Sequence, residues 1–285
     1  MLVSRKRLVV NADDFGLHES INEAVDIAHN KGILTSASLM VNGESFGHAV
    51  DIAKKNKNLG VGIHLTLNGE EPISPIKKIS SIVDNNGKLL EDHRQLCKKI
   101  LMKKISLKHI AIECEAQINR FFQAGLTPTH VDSHRHLHLF PPIFKILTPI
   151  FKRHNIKKIR WINTPRIDYC RINISKVVFL LFMQYTRFLK DAEYKHPDYF
   201  VGFFRSGNMD AGYLRKILFR LKPGITEINF HPGKNDNLIA KKYGFWEEYY
   251  KWGCNWEKEF ELLLNFDIKK IIKSNNISLI SYSEI

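Results

Sequence analysis

The stretch Leu8-Val9-Val10-Asn11-Ala12-Asp13-Asp14-Phe15-Gly16 joins a short apolar run to two adjacent carboxylates and a glycine. Leu8 to Ala12 has the length and β-branched content of a buried strand, and the strand ends in acid. Ser20 to Asn30 follows, with Ile21, Ala24, Val25 and Ala28 at helical spacing and Ser20 as its expected N-cap. A strand passing directly into a helix is the repeating unit of an α/β fold.

That unit recurs outward along the chain. Strand-like runs are expected at Leu34–Val41, Val61–Leu67, Thr129–His134, Ile159–Ile162, Tyr199–Phe204, Glu227–Phe230 and Ile277–Ser283. Helical spacing is found at Ala49–Lys55, Leu107–Gln123, from Pro141-Pro142 onward, Val177–Leu189, Ala211–Leu221 and Trp256–Phe266. Pro72, Pro75 and Asn85-Asn86-Gly87 mark an excursion over 72–87. Alternating units without a break in composition predict one domain over residues 1–285. The expected architecture is an irregular, TIM-barrel-like (β/α) barrel.

Composition narrows the classes. With 285 residues, 44% hydrophobic and 25% charged, the chain can bury a sizeable core. Four scattered cysteines and no C-x-x-C pair argue against a disulfide framework or a thiolate zinc knuckle and suit free thiols in a reducing compartment. The apolar run after Arg5-Lys6-Arg7 is too short for a signal-peptide core, so the expected location is cytoplasmic. Ile174 to Met183 is about ten apolar residues, half the span of a bilayer. The net charge of +14 is spread over several lysine-rich faces, with no basic arm or aromatic-basic motif. Nucleic acid is therefore not an expected partner, whereas peripheral contact with the inner face of an anionic membrane, and homo-oligomer formation, are compatible with it.

Four polar clusters close predicted strands: Asp13-Asp14, His64, His130 to His138, and His231. In a β/α barrel, side chains at the C-terminal strand ends converge on one mouth. Taken singly, an Asp pair reads as a turn and a strand histidine as a core residue. His134, His136 and His138 would share one side of an extended chain, and three buried imidazoles need a metal or polar partners. One carboxylate with two imidazoles is a common facial set for a divalent metal. Of two adjacent aspartates on a strand, one can bind the ion while the other addresses its water.

At these residues the sequence resembles the YdjC-like carbohydrate deacetylases, with chito-oligosaccharide deacetylases and hopanoid-biosynthesis-associated deacetylases among its relatives. The matching motifs are Asn11-Ala12-Asp13-Asp14-Phe15-Gly16-Leu17, Gly62-Ile63-His64-Leu65, Thr129-His130-Val131-Asp132-Ser133-His134 and Phe230-His231-Pro232-Gly233. The resemblance implies one divalent ion, magnesium or zinc, on Asp14, His64 and His134. It places Asp13 as general base and His231 as proton donor to the leaving amine. Its implied substrate is an N-acetylated amino sugar, as an oligosaccharide or a glycolipid.

Around that set, His136, His138 and Arg166 are candidate substrate-binding residues. Trp161, Phe203 and Trp246 could each stack on a sugar ring, with core packing as the competing use. Three other readings compete with deacetylation. A metal-dependent phosphoesterase would need a second metal site, another amide hydrolase could use the same barrel, and a basic non-catalytic carbohydrate- or nucleic-acid-binding protein would need no metal.

Overall fold

The computed structural model describes residues 5–165, 177–178, 180–181, 194–234 and 254–285. Arg166, Trp246 and most of the expected helix at 177–189 lie outside them. Strand β1 (Lys6–Phe15) is buried from Leu8 onward on both faces, as the apolar run requires of a central parallel strand. Helix α1 (Glu19–Lys31) follows and buries Ile21, Ala24, Val25 and Ala28. Its N-cap is His18 rather than Ser20, because the imidazole accepts the Ser20 N–H at 3.2 Å and takes over the capping position.

The chain continues through β2 (Ser36–Leu39), α2 (Phe46–Lys55) and β3 (Gly60–Leu65). The excursion then contains α3 (His93–Leu101), whose N-cap Asp92 accepts the Arg94 N–H, and leads into α4 (Leu107–Gln123). Next come β4 (Val131–Ser133), α5 (Pro141–Arg153), β5 (Tyr199–Val201), α6 (Ala211–Phe219) and β6 (Gly224–Phe230). The last elements are α7 (Trp256–Leu264), α8 (Phe266–Ser274) and the two-residue β7 (Ser278–Leu279).

All the strand pairs are parallel, in the order β4-β3-β2-β1-β6-β5, with β7 beside the start of β1. Single bridges join Val131 to Ile159 and Lys158 to Lys195, and Phe200 N–H donates to Asn163 C=O at 3.0 Å. These bonds carry the sheet around from β4 toward β5. The result is an α/β architecture with a curled, barrel-like parallel sheet, and its strand ends share one mouth. Among the described residues no helix is long and apolar enough to cross a membrane.

Four expected elements are corrected. Ile159–Ile162 forms only a bridge, because Asn163 N–H turns back to Trp161 C=O at 3.1 Å. The expected helix over Trp256–Phe266 breaks at Asn265, whose side chain caps the Ile268 N–H at 3.1 Å and starts a new helix. Ile277–Ser283 yields two strand residues, since Ser281 and Glu284 form a capping box that opens a short 3-10 turn at Tyr282–Glu284. The strand through His134 stops at Ser133. Arg135 and His136 then take left-handed φ of 57° and 56°, so the alternation expected of His134, His136 and His138 does not occur.

Candidate functional site

The mouth is built by strand ends. Asp13 and Asp14 close β1, His64 lies in β3, His134 follows β4 and His231 follows β6. The β1–β2 register shifts between Ala12 and Phe15, and Asp14 adopts φ 62°. This kink aims two adjacent carboxylates at different neighbours. Gly16 completes the turn at φ 94°, where a Cβ would stand 2.8 Å from both Leu39 Cδ1 and Met40 O. Gly62 is required for another reason: the His130 ring lies against it, 2.3 Å from where a Cβ would be.

Asp14 faces the histidines. Its Oδ1 is 3.0 Å from His134 Nδ1 and 3.4 Å from His64 Nε2, and the three residues' candidate ligand atoms lie within 4.8 Å of one another. All three side chains are buried. Asp14 Oδ2 and His64 Nε2 have no hydrogen-bond partner, an arrangement that is costly for buried polar atoms. Burial alone would raise the Asp14 carboxyl, but His134, His64 and His231 outweigh it and hold the group well below the usual carboxylate range. Burial depresses His134. His64 is opposed by burial yet raised to about 10, by Asp132 first and Asp13 second. The anionic carboxylate, the two imidazoles and the two orphaned atoms fit one divalent cation.

Asp13 has the opposite surroundings. Arg160 forks onto it, Nη1 to Oδ2 at 2.9 Å and Nη2 to Oδ1 at 2.8 Å. Asn229 donates to Oδ2 at 2.9 Å and Asn11 to Oδ1 at 3.0 Å. The guanidinium, 0% exposed, also lies 2.7 Å from Asp132 Oδ2 and donates through Nε to Glu227 Oε1 at 2.8 Å. Asp132 Oδ1 in turn meets His64 Nδ1 at 2.7 Å. Below this layer the Tyr282 hydroxyl donates to Glu227 Oε2, and the Tyr282 ring stacks on His130 at 3.7 Å. Burial lifts Glu227 to about 7, against the pull of Arg160. Asp13, His64 and Asp132 are also close enough to suggest a second metal group. Arg160, however, already provides the cation there.

His231 stands across the mouth, its Nε2 3.9 Å from Asp13 Oδ2 and 3.4 Å from Ser206 Oγ. Glu259 on α7 accepts the His231 backbone N–H at 2.5 Å and lies 3.8 Å from its Nδ1. Burial opposes a charge on His231, but Glu259, Asp14 and Asp13 prevail and raise its pKa.

The remaining candidates divide. His138 is 0% exposed and tied to Ser133 Oγ at 2.8 Å and to the Arg160 carbonyl at 3.0 Å, so it latches the backbone that carries Arg160. His136 packs edge-on against Phe200 at 5.5 Å, and burial holds it well below its usual pKa. Trp161 and Phe203 are buried, Trp161 edge-on to Phe144 at 5.8 Å. Arg166 lies outside the described residues. Sequence reasoning missed Arg160, Glu227, Glu259 and Tyr282, and gave Asp132, though inside a matching motif, no role. The one usable signal was a charged residue inside an apolar run, as in Ile159-Arg160-Trp161-Ile162 and Thr226-Glu227-Ile228.

Comparison with known proteins bears on what this arrangement does. The profile of the family described as YdjC-like protein matches residues 7–274. A carbohydrate deacetylase of Clostridium beijerinckii is 31% identical over 282 residues, 98% of this chain and 100% of that protein. Another, from Brevibacillus brevis, is 39% identical over 284 residues, 98% of this chain and 99% of that protein. Among solved structures, an Enterococcus faecalis V583 protein given a provisional role in cellobiose-phosphate cleavage matches with a TM-score of 0.75. Its identity is 25%, and the match covers 99% of each chain.

Proposed function

The chain belongs to the YdjC-like family, and from that premise we propose that it is a carbohydrate deacetylase. Its reaction is hydrolysis of the acetamide of an N-acetylated amino sugar, assisted by one divalent cation, magnesium or zinc. The observation that carries this reading is the buried Asp14–His64–His134 group with two unpartnered atoms, beside a second carboxylate held rigid. Carboxylate and imidazole donors of this kind leave positions for water and substrate. Such an ion supplies Lewis acidity to the acetyl carbonyl and to the attacking water.

Asp13 accepts the proton of the water as its oxygen bonds to the acetyl carbon. Its oxygens are engaged by Arg160, Asn11 and Asn229, so one of the two amides gives way as that proton arrives. His231, whose pKa Glu259, Asp14 and Asp13 raise against burial, donates a proton to the sugar nitrogen as the carbon–nitrogen bond breaks. The amine and acetic acid leave, the acid passing its remaining proton to the amine or to solvent. Asp13 then returns its proton to His231 across the 3.9 Å gap, which resets both groups.

The phosphoesterase reading is disfavoured because the position a second metal would need is spanned by the Arg160 guanidinium. We read the curled sheet as an irregular barrel of the TIM type and residues 1–285 as one catalytic domain. His136 and Arg166 stay proposed substrate-binding residues.

Acetate release tests the reading, with N-acetylglucosamine oligomers and N-acetylated glycolipids as substrates. The protein is stripped of metal and then resupplied with magnesium, zinc, manganese or cobalt. Release should require the metal and vanish in His64→Ala and His134→Ala. Metal binding at one site without acetate release from any of these substrates would overturn the deacetylase.

A further inference from the structure

We infer that Arg160 is a positioning residue for both halves of the site at once, setting the plane of Asp13 directly and the ring of His64 through Asp132. The inference rests on the deacetylase reading for the roles of Asp13 and His64, but the contacts themselves are independent of it.

One guanidinium has only five N–H donors in a fixed plane, so its partners are held in fixed relation to one another. Here Nη1 and Nη2 grip both oxygens of Asp13 at 2.9 and 2.8 Å, while Nη1 also reaches Asp132 Oδ2 at 2.7 Å. Asp132 presents its other oxygen to His64 Nδ1 at 2.7 Å. An ionised carboxylate can only accept, so Nδ1 carries the proton and Nε2 is the nitrogen left facing Asp14. The imidazole that would bind the ion and the carboxylate that would take the proton are thus registered by the same five donors.

The fork is itself clamped. Glu227 receives Nε at 2.8 Å, and the Phe200 ring lies 5.3 Å from the guanidinium carbon. His138 holds the Arg160 carbonyl at 3.0 Å, and Ser38 steadies Asp132 Oδ2 at 2.8 Å. Charge gives a second reason for an arginine here. Asp13, Asp14 and Asp132 lie together in a buried space, and without an internal cation their repulsion would splay them. A lysine supplies that charge but cannot hold two carboxylates in one plane.

The test compares the full-length wild type with R160Q, R160K, D13N and D132N. Four quantities are read: cobalt(II) affinity by calorimetry, kcat and KM for acetate release, and the ring nitrogen NMR signals of His64. Loss of an outer partner of a metal-binding imidazole typically weakens metal affinity by about 10–100-fold. D132N should lose affinity to that extent, and D13N should lose turnover with affinity retained. R160Q should do both, lowering kcat far more than it raises KM, and R160Q/D132N should bind cobalt no more weakly than R160Q alone.

A folded R160Q with cobalt affinity within twofold of wild type and unmoved His64 signals overturns the inference. So do affinity losses that multiply in the double variant. Should R160Q fail to fold, R160K decides: kcat at least tenfold down supports the inference, and wild-type kcat and affinity overturn it. The NMR readout needs neither metal nor substrate. A wild type that releases no acetate would therefore sink the deacetylase reading while leaving Arg160 open to judgement on its own.

Discussion

Asp13 and Asp14 are consecutive and both buried, yet they have opposite surroundings. Asp13 receives hydrogen bonds from Arg160, Asn229 and Asn11 on both of its oxygens. Asp14 keeps one oxygen without a partner and turns the other to two imidazoles. The first environment fixes a carboxylate in one orientation inside the protein. The second leaves a carboxylate oxygen unpaired beside two imidazoles, and the proposed metal site rests on that feature. A φ of 62° at the second residue is what separates them, since regular strand geometry would only have sent them to opposite faces of the sheet.

The contrast is open to breakage, and the largest effect should come from the incomplete side. Asp14→Asn removes the one anionic donor of the group. It should weaken zinc or cobalt binding by more than the ~100-fold that follows loss of an outer partner, and abolish acetate release. Calorimetry with each ion checks this, and wild-type affinity in the variant would dissolve the proposed metal set. Asp13→Asn should leave metal affinity within a few-fold and lower kcat by about 10²–10⁴, the usual share of general acid–base help. If the two variants instead behave alike, the division of labour between the neighbours is wrong.

A smaller effect sharpens the closed side from below. Glu227 is raised to about 7 by burial, so the folded state holds its proton more tightly than the unfolded chain does. For such a group, stability is greatest below the ordinary glutamate range and declines as pH rises through 7. Glu227→Gln mimics the protonated form and should be insensitive to that decline. Between pH 5 and 8, the melting temperature of the variant should gain on wild type by a few degrees, within the ~2–4 °C per kcal/mol expected at this size. Parallel curves would mean that Glu227 stays ionised and that Arg160, not burial, governs it.

The two sides also differed in how far they could be read from the sequence. Asp14, His64, His134 and His231 each end or follow an apolar run, so a strand-end rule finds them without coordinates. Arg160 and Glu227 sit inside such runs, where one charge looks like an interruption of the pattern. Only the curled arrangement of strands shows that they meet. Glu259 and Tyr282 come from polar stretches, Glu257-Lys258-Glu259 and Ser281-Tyr282-Ser283, where neither residue stands out from its neighbours. The histidine repeat failed for a local reason, since the left-handed residues Arg135 and His136 send His138 inward to Ser133 rather than alongside His134. The α/β alternation, by contrast, survived errors in individual elements because it depends on period alone.

The conformation of Asp14 also bears on what selection would do to this protein. A φ of 62° suits glycine or asparagine better than aspartate, and an unpartnered buried oxygen adds to the cost. A library of this chain selected for thermal persistence alone, with no demand for turnover, should therefore lose Asp14 early and keep Asp13. Under selection for turnover the same position should not change. Position 14 would then show which of the two pressures had shaped a given population.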